Sequence, residues 1–115
     1  MRRLLLVVLV VAGTSLPQVP AAAERMEAVW YSQPGTVGAC GKVLGSGPAG
    51  TYHYVAHLTL PCGTRLTIWH GNRHTYAVVA DRGPYGGADI DLSRRVFRRL
   101  APLGAGRIRV QVVRR

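Results

Sequence analysis

The chain has 115 residues and sets 15 Lys and Arg against 5 Asp and Glu, a formal charge of +10. That surplus favours anionic partners and steers association, and it says nothing about fold. The length allows a single small domain, and the N-terminal apolar run, Leu4 to Ala12, is too short to span a membrane.

The run reads instead as the core of a secretory leader. Arg2 and Arg3 precede it, and Ala21-Ala22-Ala23 supplies a small-residue cleavage pattern. Residues 1–23 are therefore assigned to the leader and 24–115 to the mature domain, expected to be a monomer. With no cysteine near the cleavage point, the product is expected to be secreted or held in the envelope (periplasm or cell wall) without a lipid anchor. Export argues against nucleic acid as the partner, and the stacking aromatics of a single-strand binder are not evident. Anionic wall polymers remain the natural partners of the charge.

About 90 residues is the marginal end of core-building capacity. Cys40 and Cys62 are the only cysteines, and in an exported chain they are expected to pair. Closing that loop constrains the unfolded chain by about 3 kcal/mol.

In chain order, Glu27 to Ser32 is a short β-rich run before a Gln-Pro-Gly turn. Gly35 to Gly50 is a glycine-rich loop carrying Cys40. Tyr52 to Leu60 alternates loosely, and Arg65 to His70 alternates well. Gly71-Asn72 then turns the chain into Thr75 to Ala80, which predicts a hairpin. That apolar run delivers Asp81 into a loop of Gly83, Pro84, Gly86 and Gly87, whose fixed and thinly covered backbone would leave the acid within reach of a long polymer. A helix follows, capped by Asp91 or Ser93. Val96, Phe97 and Leu100 share its inner face, Arg94, Arg95, Arg98 and Arg99 its outer one, and Pro102 and Gly104 stop it. Arg107 to Val113 is a strand with one wet face. A small β-barrel with one short helix is the economical architecture.

Aromatic rings suit the C–H face of a pyranose. Trp30, Tyr31, Tyr52, Tyr54 and Tyr85 are the candidates for such a floor, with Tyr31 and Tyr85 preferred, while Trp69 on an alternating strand belongs to packing. The histidines, His53, His57, His70 and His74, do not offer the three or four convergent ligands of a zinc site. No metal and no cofactor is expected.

Several pieces in order resemble the rare lipoprotein A (RlpA-like) double-psi β-barrel family: VWYS at 29–32, GACG at 38–41, VAHLTLPCGT at 55–64, VVADRGPY at 78–85, IDLS at 90–93 and RIRVQVV at 107–113. GACG and the barrel are also similar to expansins and to barwin-like or endoglucanase-V-like relatives. The resemblance implies a six-stranded barrel with interlocked loops and an open groove for a glycan. Its members are lytic transglycosylases of peptidoglycan or wall-binding modules derived from them. It places Asp81 as acid and base, His57 as its assistant, and Asp91 in organising the helix start. Tyr31, Tyr54, Tyr85 and Arg82 become candidate substrate contacts, with Cys40, Cys62, Gly83 and Pro84 structural.

Many enzymes of the family carry a glutamate about eleven residues before the histidine; here that position is Ser46. Lytic cleavage needs only one carboxyl, because the muramyl C6 hydroxyl replaces water as the nucleophile. Hydrolytic glycosidases use two. With Asp91 assigned to capping, the sequence favours a one-acid reaction on peptidoglycan glycan strands. The rival is a non-catalytic, expansin-like wall-binding module. An endoglucanase suffers from the missing second carboxylate.

Overall fold

The computed structural model describes residues 18–45 and 53–115. The leader residues 1–17, Ser46 and Tyr52 lie outside the described residues. Six strands close into a barrel: β1 (Glu24–Tyr31), β2 (Tyr54–Ala56), β3 (Arg65–His70), β4 (Arg73–Asp81), β5 (Ile90–Ser93) and β6 (Arg107–Arg114). Their order around it is β1-β5-β2-β4-β3-β6, with β1/β5 and β2/β4 parallel and the other pairs antiparallel. One helix, α1 (Arg94–Leu100), leads through a short 3-10 turn (Leu103–Ala105) into β6.

Period-two patterning builds the wall. Ile108, Val110 and Val112 of β6 are buried while Arg107 and Arg109 face water. The β3–β4 hairpin forms as the sequence predicts, closed at His70↔Arg73 around Gly71-Asn72. Met26, Ala28, Val55, Leu66, Ile68, Val79, Ile90 and Leu92 fill the interior, and α1 adds Val96, Phe97 and Leu100. Burying Phe97 completely contributes about 2–3 kcal/mol. Trp30 belongs to this packing: it lies against Phe97, and its indole N–H donates to the Leu103 carbonyl at 3.0 Å. It is therefore not the sugar platform the sequence offered.

Two elements differ from the sequence reading. Tyr52 to Leu60 shrinks to the three-residue β2, because Leu58 to Leu60 bend away around His57. The IDLS segment, read as the start of the helix, is itself a strand, with Ile90 and Leu92 inward and Asp91 and Ser93 on the other face. Ser93 alone caps α1, its hydroxyl accepting from the Val96 N–H at 3.3 Å.

The 32–45 loop folds back on the barrel. Leu44 is fully buried there with Tyr54 and Ala80, and Tyr31 packs against them. Gly38 allows the approach: a Cβ at that position would sit 2.6 Å from the Ala80 carbonyl oxygen and 3.0 Å from Leu44 Cδ2. Backbone cannot yield as a side-chain tip does, so Gly38→Ala is expected to cost about 1–3 kcal/mol. A melting curve unchanged within error would show that the loop does not dock this closely. Cys40 and Cys62 are bonded, with Cα atoms 5.7 Å apart, which ties this loop to the 57–62 bend.

Candidate functional site

The site lies on the face of β1, β5, β2 and β4 turned away from the main core. Its geometry follows from register. Val55 pairs with Val79 and with Leu92, all inward. One residue on, Ala56 pairs with Asp91 on one side and with Asp81 on the other. The second pairing skips Ala80, a bulge in β4 that re-aims the following side chain. The two acids therefore flank Ala56 on one face, two strand spacings apart.

Asp81 ends β4 instead of sitting in the loop. Its Oδ2 accepts the Tyr31 hydroxyl at 2.8 Å, and its Oδ1 accepts the N–H groups of Ala39 at 2.8 Å and Arg82 at 2.9 Å. Two of these contacts are backbone N–H groups that can only donate, both on Oδ1, while the Tyr31 hydroxyl on Oδ2 can donate or accept. Burial, then the hydrogen bond to Asp81, pushes the Tyr31 phenol far above its ordinary range, so it stays a donor. Tyr54 meets Tyr31 edge-on at 5.6 Å, and burial raises its phenol too.

Asp91 is in the opposite condition. It is half-buried, and its Oδ1 is fully enclosed with no hydrogen-bond partner among the described residues. Burial first, then the charge of Asp81, raises its carboxyl to about 6. This corrects the assignment of Asp91 to capping. The chain presents two unlike acids, one held by three hydrogen bonds and one half-buried with its carboxyl raised to about 6.

His57 does not reach Asp81 through its ring. Its Nδ1 accepts the N–H groups of Thr59 at 3.1 Å and Leu60 at 3.0 Å, and only its backbone N–H meets the Asp81 carbonyl, at 3.2 Å. Both ring contacts require neutral imidazole with the proton on Nε2. Burial, and next among the lowering causes Arg82, depresses its pKa accordingly. Arg82 turns the same way. Its guanidinium donates to the carbonyls of His57 at 3.0 Å and Leu60 at 2.6 Å, and lies 3.3 Å from Cys62 Sγ. Side-chain alternation after Asp81 sends it to the 57–62 bend, away from the substrate position expected for it.

Gly83, buried at φ +127°, and the cis Gly83–Pro84 bond turn the chain out of β4. Tyr85 then stands 83% exposed, free to stack on a ligand. Among the described residues no helix is long and apolar enough to cross a membrane.

What sequence reasoning missed was Asp91 as a site group. The signal was present, because I-D-L-S is itself an alternating strand. It was masked by the helix that starts directly after it.

Comparison with known proteins gives the same frame. Among solved structures, the chain is similar to an expansin from Clavibacter michiganensis. A point mutant of that protein in complex with cellohexaose is 25% identical with a TM-score of 0.66, the match covering 81% of this chain and 50% of the expansin. This chain thus spans about half the expansin's length. It is also similar to the Streptomyces papain inhibitor, at 27% identity and a TM-score of 0.63 over 82% of this chain and 96% of the inhibitor. Cerato-platanin 3 from M. perniciosa, at 16% identity and 0.61 over 80% and 94%, shares the fold. No curated protein matches the chain. The family model described as lytic transglycolase, a double-psi β-barrel, matches residues 23–112. With the closed six-stranded barrel and the DRGP and IDLS segments in their places, the chain belongs to the double-psi β-barrel lytic transglycolase family.

Proposed function

We propose that the protein is exported and cleaves peptidoglycan glycan strands by lytic transglycosylation, with Asp91 as the proton-carrying group and Asp81 as a fixed anion. The observation that carries this reading is the Asp91 carboxyl: half-buried, without a hydrogen-bond partner at Oδ1 among the described residues, and raised to about 6 beside a second acid. This reading gives the proton to Asp91, where the sequence analysis gave it to Asp81.

In the reaction, the protonated Asp91 carboxyl gives its proton to the glycosidic oxygen. The C1–O bond breaks, and the leaving sugar departs with a hydroxyl. Asp81, held by Tyr31, Ala39 and Arg82, faces the positive charge that develops at C1. Asp91, now a carboxylate, takes the proton of the muramyl C6 hydroxyl as that oxygen closes on C1. The acid is thereby regenerated, no water is consumed, and the 1,6-anhydromuramyl end is the product. Tyr85 supplies an apolar face for a flanking sugar, whereas Tyr54, 4% exposed and packed against Leu44 and Ala80, is not the substrate contact the sequence offered. His57 and Arg82 act one step away by holding the 57–62 bend against Asp81. The disulfide suits an oxidising compartment outside the cytoplasm.

A binding-only reading, in the manner of an expansin, draws on the completeness of the Asp81 hydrogen bonding and on Ser46 at the family's glutamate position. One assay separates the two. The purified protein is incubated with peptidoglycan, intact or stripped of stem peptides, and 1,6-anhydromuramyl ends are sought by mass spectrometry between pH 4 and 8. The enzyme reading expects such ends and a rate that falls above about pH 6, as the Asp91 proton is lost. Asp81→Asn should lower the rate and move that alkaline limb to lower pH, because a like charge beside Asp91 has gone. Retention on the wall polymer without new ends would establish the binding-only role.

A further inference from the structure

The outer face of α1 is a cluster of guanidiniums. Arg94, Arg95, Arg98 and Arg99 are all exposed, and all four line a cavity of about 580 Å³ against Tyr54 and the 32–45 loop. Arg94 and Arg98, one turn apart, also border a second hollow of about 800 Å³ on the other flank, where Arg73 and His70 join them. The basic surface therefore runs across the helix from one side to the other.

No carboxylate lines either cavity. The chain has only five acids. Glu27 pairs with Arg107, and Asp89 accepts the Glu27 N–H. Asp81 and Asp91 belong to the site above, Glu24 begins β1, and residues 46–52 contain none. The arrangement also works against its own helix. Like charges one turn apart repel, and Arg94 and Arg95 stand in a first turn without an acid, where the helix dipole disfavours cations. Arg98 and Arg99 stand in the last turn, where the dipole favours them, yet a cluster of like charges that meets no carboxylate among the described residues suits an external anion.

The chemistry of that anion follows from the cations. Fourteen of the 15 basic residues in the chain are arginine, and the cavity cations are all arginine. The planar guanidinium fork matches two oxygens of one phosphate, where lysine offers a point charge. The forks of Arg94, Arg98 and Arg99, within about 10 Å of helix, ask for closely spaced charges. A glycan with a single carboxylate per disaccharide is sparser than that, whereas a polyol linked by phosphodiesters carries a charge at every repeat.

We propose that the arginine face of α1 and the two hollows beside it bind a phosphodiester-linked wall polymer. This site is separate from the acids and anchors the protein next to the glycan it acts on.

The test uses the protein purified after expression of the full chain. Its affinity is measured for linear poly(glycerol phosphate), for a polygalacturonate of matched charge, for single-stranded DNA, and for phosphatidylglycerol vesicles. The double variant Arg94→Gln/Arg98→Gln is compared with Arg25→Gln/Arg65→Gln, which removes the same charge from exposed strand positions. The proposal expects the phosphate polymer to bind tightest and the first variant to weaken it by about tenfold or more. The control should change it less than about twofold. It also expects the first variant alone, without ligand, to melt close to the parent, since loss of Arg94 relieves the first turn and the repulsion between the pair, while loss of Arg98 removes a favourable last-turn charge. Equal losses in both variants would show diffuse attraction and overturn the site. Tighter binding of polygalacturonate, DNA or vesicles would overturn the ligand. An Arg94/Arg98 variant that melts lower by more than the few degrees that one last-turn charge accounts for would assign those side chains to the fold instead.

Discussion

Asp91→Asn is expected to make the protein more stable at pH 7 and nearly inactive. The sign follows from the raised carboxyl. A group whose folded pKa lies near 6 against an ordinary 3.8 stabilises the fold when protonated, fully below about pH 4. It loses that contribution as pH rises through 6, so at pH 7 the ionised carboxylate is a liability. The shift alone corresponds to about 3 kcal/mol, and solvent screening of a half-exposed group reduces this to roughly 1–2 kcal/mol. The amide removes the liability, and a domain of this size should then melt on the order of 5–10 °C higher at pH 7. The gain should vanish below about pH 4, where parent and variant are both neutral at this position. His53 and His57 have depressed pKa values and act in the opposite direction. Their contribution is present above about pH 6.5 and fades as the pH falls, but it is common to both proteins and cancels in the difference. Release of anhydromuramyl ends should drop about 10²–10⁴-fold, the usual contribution of a positioned acid. Full activity in this variant would remove Asp91 from the chemistry. Equal stability across the whole pH range would mean that its carboxyl is not perturbed.

Removing the disulfide should have the largest effect on the fold. Cys40 and Cys62 are 22 residues apart, and releasing that loop restores about 3 kcal/mol of conformational freedom to the unfolded chain. For so small a core this is a large share of total stability, and Cys40→Ala/Cys62→Ala should melt on the order of 15 °C lower. The bond also joins two segments that touch the site. One side carries the Ala39 N–H that binds Asp81, with the Cys40 N–H on the Ala80 carbonyl at 3.3 Å. The other is the bend gripped by Arg82. Activity measured well below the new melting temperature should therefore fall further than the unfolded fraction accounts for. A stability loss under about 1 kcal/mol would mean that backbone contacts alone hold the loop down.

Much of the barrel was legible in the chain because its strands alternate. Arg65 to His70, the Gly71-Asn72 turn and Arg107 to Val113 each announce their inward face, and two lone cysteines in a chain expected to be exported announce their bond. The parallel pairings were harder. β2 and β5 are three and four residues long and acquire their identity only from β4 and β1, which lie far away in sequence. The site inherits that difficulty. Tyr31, Tyr85 and Asp81 could be picked out by residue type and by the loop around them. The likeness of Asp81 and Asp91, both followed by motif residues, concealed that one is saturated with donors and the other nearly deprived of them. Only register across Ala56, with the skipped Ala80, makes them neighbours. Arg82 and His57 were misplaced for a related reason: hydrogen bonds to the backbone of the 57–62 bend leave no trace in sequence.

The final strand closes the ring by bonding on one edge to β1 and on the other to β3. Until those last residues are available, the nascent polypeptide has two unzipped edges and cannot complete its interior. Such a topology delays folding until β6 has been made, which would suit the export proposed above. Shortened at the C-terminus, the same protein would expose both seams and tend to associate with its copies instead of remaining a lone barrel.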